Sequence, residues 1–144
     1  MKKALPYLLL ADDDPDDRET FLEAFARLHP LASVQTVNDG KELFEVLDGH
    51  TNGELPILIL LDYKMPLVAG PEVLKRLADH PIYAQIPTVV WSSSERSKDI
   101  QECHRLGASA YLKKPATARE MDQIIHQIDT ILTKQLSNLK TQDK

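Results

Sequence analysis

Hydrophobic positions along the chain fall into two kinds of segment that alternate. The densest is the unbroken aliphatic run Ile57-Leu58-Ile59-Leu60-Leu61, which lies between Pro56 and Pro66 and ends at Asp62. Continuous rather than alternating apolar character predicts a strand buried on both faces, at the centre of a parallel sheet. A buried helix segment is the competing reading. It loses because the run is short and both flanking prolines are poor company for a helix interior. A second continuous run, Leu5 to Ala11, is predicted as a strand ending in Asp12-Asp13-Asp14. Ser33 to Val37 is shorter and more polar, as an edge strand should be. Ile86 to Trp91 and Ser109 to Leu112 complete a set of five predicted strands.

The segments between them carry helical spacing. Phe21, Leu22, Phe25 and Leu28 follow Pro15 and the acids Asp16, Asp17 and Glu19, an arrangement that suits a helix start. Leu43, Phe44 and Leu47 mark a second helix, closed by Gly49 in a polar loop that reaches Glu54. Val73, Leu74 and Leu77 mark a third, opened by Gly70-Pro71. A fourth helix from Ser97 to Leu106 stops at Gly107, a C′ glycine. Met121, Ile124, Ile125, Ile128, Ile131 and Leu132 give the last helix a clear 3.6-residue period, and the stripe continues to Leu136 and Leu139. This βα alternation predicts an α/β chain with a doubly wound parallel sheet. Right-handed crossovers then bring all five strand ends to one edge, where open α/β sheets bind ligands. Four of those ends carry polar groups: Asp12-Asp13, Asp62, Ser92 and Lys114.

Composition narrows the class without naming a function. The 144 residues suit one domain, and 42% hydrophobic with 27% charged residues is ordinary for a soluble globular chain. A net charge of −5 argues against nucleic-acid binding, which needs a basic face. No apolar run approaches the roughly 20 residues of a membrane span, and Met1-Lys2-Lys3 lacks the long apolar region of a signal peptide. The lone Cys103 rules out a disulfide framework and is expected to be inert, so a cytoplasmic location is expected. His29, His50, His80, His104 and His126 show no ligand spacing and are expected at the surface. Asp12, Asp14, Asp16 and Glu23 mimic the spacing of a calcium loop. Asp17 replaces the glycine such a loop needs, Pro15 interrupts it and a strand precedes it, so that reading is rejected.

The convergent residues define a chemistry. Three carboxylates in one pocket repel each other, and one is pushed toward protonation. A divalent cation relieves this, and a small all-oxygen set suits Mg²⁺. Asp62 can then attack a phosphoryl group to give an aspartyl phosphate. Lys114 supplies a mobile positive charge for a phosphoryl oxygen, and a serine hydroxyl can donate to another. Ser92, Ser93 and Ser94 all compete for that role, with spacing to Lys114 favouring Ser92. Lys113 competes with Lys114, with the Lys-Pro step at the strand end favouring Lys114.

Four motifs in order, Leu-Leu-Leu-Ala-Asp-Asp-Asp-Pro, Leu-Leu-Asp-Tyr-Lys-Met-Pro, Trp-Ser-Ser-Ser and Gly-Ala-Ser-Ala-Tyr-Leu-Lys-Lys-Pro, make the chain resemble the receiver domain of two-component response regulators. The resemblance runs from Leu5 to about Leu132. It implies a flavodoxin-like strand order, 2-1-3-4-5, with helices on both faces. It implies Asp62 as phosphoacceptor, Asp13 as a direct Mg²⁺ ligand, Asp12 as a ligand through water, and the Lys64 carbonyl as the remaining protein ligand. Ser92 becomes the switch hydroxyl, Lys114 the phosphate-pairing lysine and Tyr111 the aromatic switch residue. The proportions look most like the small regulators that partner phytochrome-type kinases. Two departures stand out: Lys64, where many relatives carry asparagine or another polar residue, and Ala69, where an acid is common.

The resulting expectation is a stand-alone receiver over residues 1–134, with 135–144 forming the end of the last helix and a polar tail. A histidine kinase or phosphotransfer protein would phosphorylate Asp62, and a changed surface would engage a downstream protein, with no nucleic acid or membrane partner. It would not be an enzyme in the usual sense, although it would catalyse its own phosphorylation and dephosphorylation. Two rivals are a metal-dependent aspartyl-phosphate phosphohydrolase and a receiver-like binding module that ignores phosphorylation. From Arg119 to Leu139 the last helix would be about 30 Å long. Its stripe then outruns the domain and suits a homodimer contact, the alternative being a frayed tail beyond residue 135.

Overall fold

The computed structural model describes residues 6–49 and 55–142, with side chains described through residue 135. Five strands, β1 (Tyr7–Ala11), β2 (Ser33–Val37), β3 (Leu58–Asp62), β4 (Thr88–Ser92) and β5 (Ala110–Lys113), alternate with five helices. These are α1 (Pro15–Leu28), α2 (Gly40–Asp48), α3 (Gly70–Asp79), α4 (Ser97–Arg105) and α5 (Ala118–Gln142). All strand pairs are parallel, and the order is β2-β1-β3-β4-β5. The central strand is therefore β3, and every residue of it is buried.

Alternation along the strands divides the core into two layers. Leu9, Ala11, Ile59, Leu61 and Val90 pack with Leu43, Leu47, Val73, Leu74, Leu77 and Cys103, the buried residues of α2, α3 and α4. Leu8, Leu10, Leu58, Leu60, Val89 and Trp91 pack with Phe21 and Phe25 of α1 and Met121, Ile124, Ile125 and Ile128 of α5. The period of two then assigns the strand ends: Asp12 and Asp62 continue the layer of Leu8, Leu10, Leu58 and Leu60, on the α1/α5 side.

Helix ends follow local chemistry. The Asp14 carboxylate accepts from the Asp16 N–H and Pro15 opens α1, while Asp39 caps α2 through the Glu42 N–H. Gly107, at φ +104°, follows the end of α4 in the left-handed region that a C′ position favours. Gly70 has a different reason to be glycine: a β-carbon there would sit 2.8 Å from the Tyr63 carbonyl oxygen. The start of α3 thus packs directly on the backbone that leaves β3.

Several expectations shift. Ile57 is not part of the buried strand; it precedes β3 and is 41% exposed. The first strand begins at Tyr7 rather than Leu5, and Leu5 lies outside the described residues. β4 and β5 each run further toward the site than expected, so Ser92 and Lys113 are strand residues, because ladder pairing with their neighbours continues that far. A 3-10 turn at Tyr83–Gln85 lies ahead of β4. His29 and His80 are half-buried rather than free at the surface: His29 Nε2 meets Asp129 at 3.0 Å, and the His80 ring stacks on Tyr83. His104 and His126 are exposed, and His50 lies outside the described residues. The backbone of α5 continues to Gln142, about 37 Å of helix; the stripe at Leu136 and Leu139 falls outside the described side chains. Among the described residues no helix is long and apolar enough to cross a membrane.

Candidate functional site

The C-terminal ends of β1, β3, β4 and β5 meet at one open cleft of about 430 Å³, where Asp13, Asp17, Asp62, Lys64, Ser92 and Lys114 are among the lining residues. Each strand delivers its group for a local reason. The end of β1 places Asp12 wholly inside, where its Oδ1 accepts the Asp14 N–H at 2.8 Å, and turns Asp13 out to solvent. The end of β3 places Asp62 beside Trp91 of β4, and the Lys64 N–H turns back toward Asp62 Oδ1 at 3.4 Å. Between β4 and β5, the Lys114 N–H donates to the Ser92 carbonyl at 2.8 Å, which fixes where the lysine stem begins.

Lys114 sits at the centre. Its Nζ lies 3.3 Å from Asp62 Oδ1, 3.0 Å from Asp12 Oδ2 and 2.8 Å from Asp17 Oδ2. The same ammonium lies 5.4 Å from the centroid of the Trp91 ring, a cation–π placement. Burial works to lower the Lys114 pKa. The hydrogen bond to Asp17 and the charges of Asp62 and Asp12 outweigh it, so the ammonium is held above the usual lysine range. Lys113, by contrast, is exposed and meets Glu95 at 3.5 Å, and of these two lysines Lys114 lines the cleft.

Asp12, Asp13 and Asp62 each offer a carboxylate oxygen, and these atoms all lie within 4.8 Å of one another. Burial, and after it the charge of Asp12, pushes the Asp62 carboxyl up to about 7, although Lys114 pulls the other way. Asp12 is also raised, chiefly by burial. Three ionised carboxylates beside one ammonium leave the cluster with more negative charge than Lys114 offsets. Its all-oxygen composition fits a hard divalent cation.

Ser92 is buried, and its Oγ accepts the Ser94 N–H at 3.0 Å. Ser94 belongs to a polar chain of its own: its Oγ donates to Asp99 at 2.8 Å, and its carbonyl accepts the Tyr111 hydroxyl at 2.9 Å. Tyr111 is half-buried, edge-on to Tyr63 at 6.3 Å between centroids. The Lys64 side chain is exposed at the rim of the cleft. Cys103 is fully buried, and that burial pushes its thiol up to about 11, which keeps it unreactive.

Two participants escaped the sequence reading. Asp17 is the third residue of α1, a position whose acid reaches back toward the cap and hence toward the strand ends; that helical offset was the signal. Asp99 left no signal, because its partners Tyr63 and Ser94 are separated from it in sequence by 36 and 5 positions.

Comparison with known proteins agrees with this geometry. A family model described as response regulator receiver domain matches residues 8–126. The two-component response regulator ORR3 of rice is 31% identical over 123 residues, covering 85% of this chain and 90% of the rice protein. The phosphorylated cyanobacterial phytochrome response regulator RcpA superposes with a TM-score of 0.80 at 32% identity, covering 90% of this chain and 95% of RcpA. The Mn²⁺-bound form of response regulator Rcp1 superposes with a TM-score of 0.77 at 25% identity, covering 87% and 92%. With that match across most of its length, the flavodoxin-like order of its sheet and an acidic cluster at the sheet's edge, the chain belongs to the response regulator receiver domain family.

Proposed function

We propose that this receiver domain accepts a phosphoryl group on Asp62, with Mg²⁺ held by Asp12, Asp13, Asp62 and the Lys64 carbonyl. The observation that carries the reading is the half-buried ammonium of Lys114 placed against Asp62 beside a three-carboxylate cluster. The donor is a histidine kinase or a phosphotransfer protein. An Asp62 oxygen attacks phosphorus, the bond from phosphorus to the donor imidazole nitrogen breaks, and the leaving imidazole takes up a proton. Hydrolysis is a separate transfer to water: a water oxygen attacks phosphorus, its bond to Asp62 breaks, the carboxylate leaves, and inorganic phosphate and a proton are released. Bound Mg²⁺ would offset the charge on the phosphoryl oxygens and keep Asp62 ionised as the nucleophile.

The chain's own groups supply the rest. Lys114 pairs with one phosphoryl oxygen. The Ser92 hydroxyl turns from its contact with the Ser94 N–H to donate to another, and Tyr111, held on the Ser94 carbonyl, reports that movement to the surface. Lys64, exposed at the rim, screens the path of the attacking water and prolongs the phosphorylated state. The chain thus catalyses only its own phosphorylation and dephosphorylation in the cytoplasm, and its changed surface engages a downstream protein. The extended α5 is the surface proposed for self-association. In keeping with this, the similar RcpA structure is a phosphorylated one and the similar Rcp1 structure holds Mn²⁺.

A Phos-tag gel after incubation with acetyl phosphate and Mg²⁺ tests the reading. Stoichiometric phosphorylation of the wild type, lost in Asp62→Asn, supports it. Release of many equivalents of phosphate per chain with little phosphorylated protein accumulating would instead mark an aspartyl-phosphate phosphohydrolase, and neither a shift nor phosphate release a phosphorylation-independent module.

A further inference from the structure

The ammonium of Lys114 has three N–H donors and three carboxylates around it, Asp12, Asp17 and Asp62. Two of those acids have a second obligation. Asp12 and Asp62 belong to the cluster whose oxygens converge closely enough to hold a cation, and Asp17 does not. Asp17 also makes the shortest of the three contacts, at 2.8 Å. Any cation drawn to the cluster competes with Lys114 for Asp12. Any acceptor group on Asp62 replaces the carboxylate oxygen that Lys114 now touches. Asp17 is the one partner that neither event removes.

The surroundings make that anchor effective. Lys114 ends a four-carbon stem with many rotamers, rooted at the edge of β5 and followed by Pro115. The Trp91 ring forms one wall of its seat and is itself fixed edge-on to Phe21 at 5.9 Å. Asp17 meets the ammonium from a helix turn held by the Asp14 cap and by the buried Phe21 and Phe25. Its own side chain is 34% exposed, so it meets Lys114 at the mouth of the cleft rather than in the interior.

From this geometry we propose that Asp17 is a positioning residue for Lys114, keeping the ammonium at the mouth of the cleft with an N–H directed at Asp62 while a divalent cation occupies Asp12. The proposal rests on the reading of Asp62 as phosphoacceptor. It makes a prediction whose sign is unusual. Deleting a negative charge beside an anion site strengthens anion binding on Coulomb grounds alone. Loss of a positioning carboxylate weakens it, because Lys114 then swings away from the anion or settles on the remaining acids.

The experiment uses the full chain and the variants Asp17→Ala, Asp17→Asn and Asp17→Glu, each first compared with wild type by urea midpoint. Beryllofluoride is titrated at saturating Mg²⁺ and followed by Trp91 fluorescence; Mg²⁺ alone is titrated separately. The expected result is a loss of beryllofluoride affinity of about tenfold in Asp17→Ala, the scale of one charge-assisted hydrogen bond. Asp17→Asn, which keeps an acceptor but no charge, falls between, and Asp17→Glu recovers most of the affinity. The affinity for Mg²⁺ alone changes much less than that for beryllofluoride. Unchanged or tighter beryllofluoride binding in Asp17→Ala overturns the proposal, as does an equal loss for Mg²⁺ and beryllofluoride. Failure of the wild type itself to bind beryllofluoride would overturn the phosphoacceptor reading, an outcome distinct from failure in the variant alone.

Discussion

The phenol of Tyr63 donates to Oδ1 of Asp99 at 3.1 Å, so the residue that follows Asp62 is tied to the first turn of α4. The other oxygen of Asp99 holds the Ser94 hydroxyl at 2.8 Å, and Ser94 in turn meets Ser92 and Tyr111. Two loops of the cleft thus share one carboxylate. Removing one hydrogen bond from this set, Tyr63→Phe, is expected to lower stability by about 1 kcal/mol. Asp99→Ala is expected to cost more, since it leaves two hydroxyls without their partner. The Ser94 hydrogen bond, against the effect of burial and with help from Tyr63, holds the Asp99 carboxyl below its usual range. Its contribution is therefore present above the unfolded carboxylate value and lost as pH falls through the folded one. A double-mutant cycle in urea at neutral pH checks the coupling, and additive effects would show that Tyr63 and Asp99 act independently.

Asp62 gives the opposite pH dependence in the absence of a divalent cation. Its carboxyl is pushed up to about 7 from 3.8, so the folded chain keeps a proton that the unfolded chain releases. Stability is then fully present below the unfolded value and declines as pH rises through about 7. In a chelator, Asp62→Asn is expected to exceed the wild type at about pH 8 by on the order of 2 kcal/mol, with little difference near pH 4. Adding Mg²⁺ should raise the wild-type midpoint most at the higher pH, because a ligand bound only by the folded state stabilises it. Thermal melts at both pH values, with and without Mg²⁺, decide the matter.

Leu67 sits at φ +69° with its side chain 74% exposed, between Pro66 and the start of α3. A leucine there bears the β-carbon clash of the left-handed region and gains little packing in return. Leu67→Asn should relieve part of that strain and stabilise the chain by roughly 0.5–1 kcal/mol. Chemical denaturation measures it, and a loss of stability would show that Leu67 makes contacts worth more than the strain.

Trp91 is fully buried, packed edge-on to Phe21 and overlain by Lys114. The alternation of β4 turns it away from Ser92, yet the register places it beside Asp62, so it lies under the cleft from the α1/α5 side. Any movement of the ammonium changes the field at the indole. Intrinsic fluorescence should therefore change on adding Mg²⁺ with beryllofluoride, and the change should be lost in Lys114→Ala. An unchanged wild-type spectrum, with binding confirmed by calorimetry, would count against this coupling.

The order of elements, the central position of β3 and the convergence of Asp12, Asp13, Asp62, Ser92 and Lys114 on one edge were legible in the residues. Continuous aliphatic runs between proline-bounded and glycine-bounded segments dictate strand and helix, and a parallel sheet with right-handed crossovers leaves only one edge for strand ends. Which of the neighbouring Lys113 and Lys114 reaches the cleft was weighed in the sequence on the Lys-Pro step alone; the structure places the Lys114 ammonium in the cleft and leaves Lys113 exposed. Ile57 belonged to the same aliphatic run as Leu58 but lies ahead of the strand, because a run of identical character carries no mark of where its buried portion begins. Asp17 carried only its offset in the first turn of α1 and Asp99 carried nothing; their partners, a lysine 97 positions away and a tyrosine 36 positions away, are set by tertiary contact. Local chemistry sets which segments form and which groups end them. Pairing between distant side chains depends on packing distances and rotamers, which exist only once the two layers have closed on the sheet.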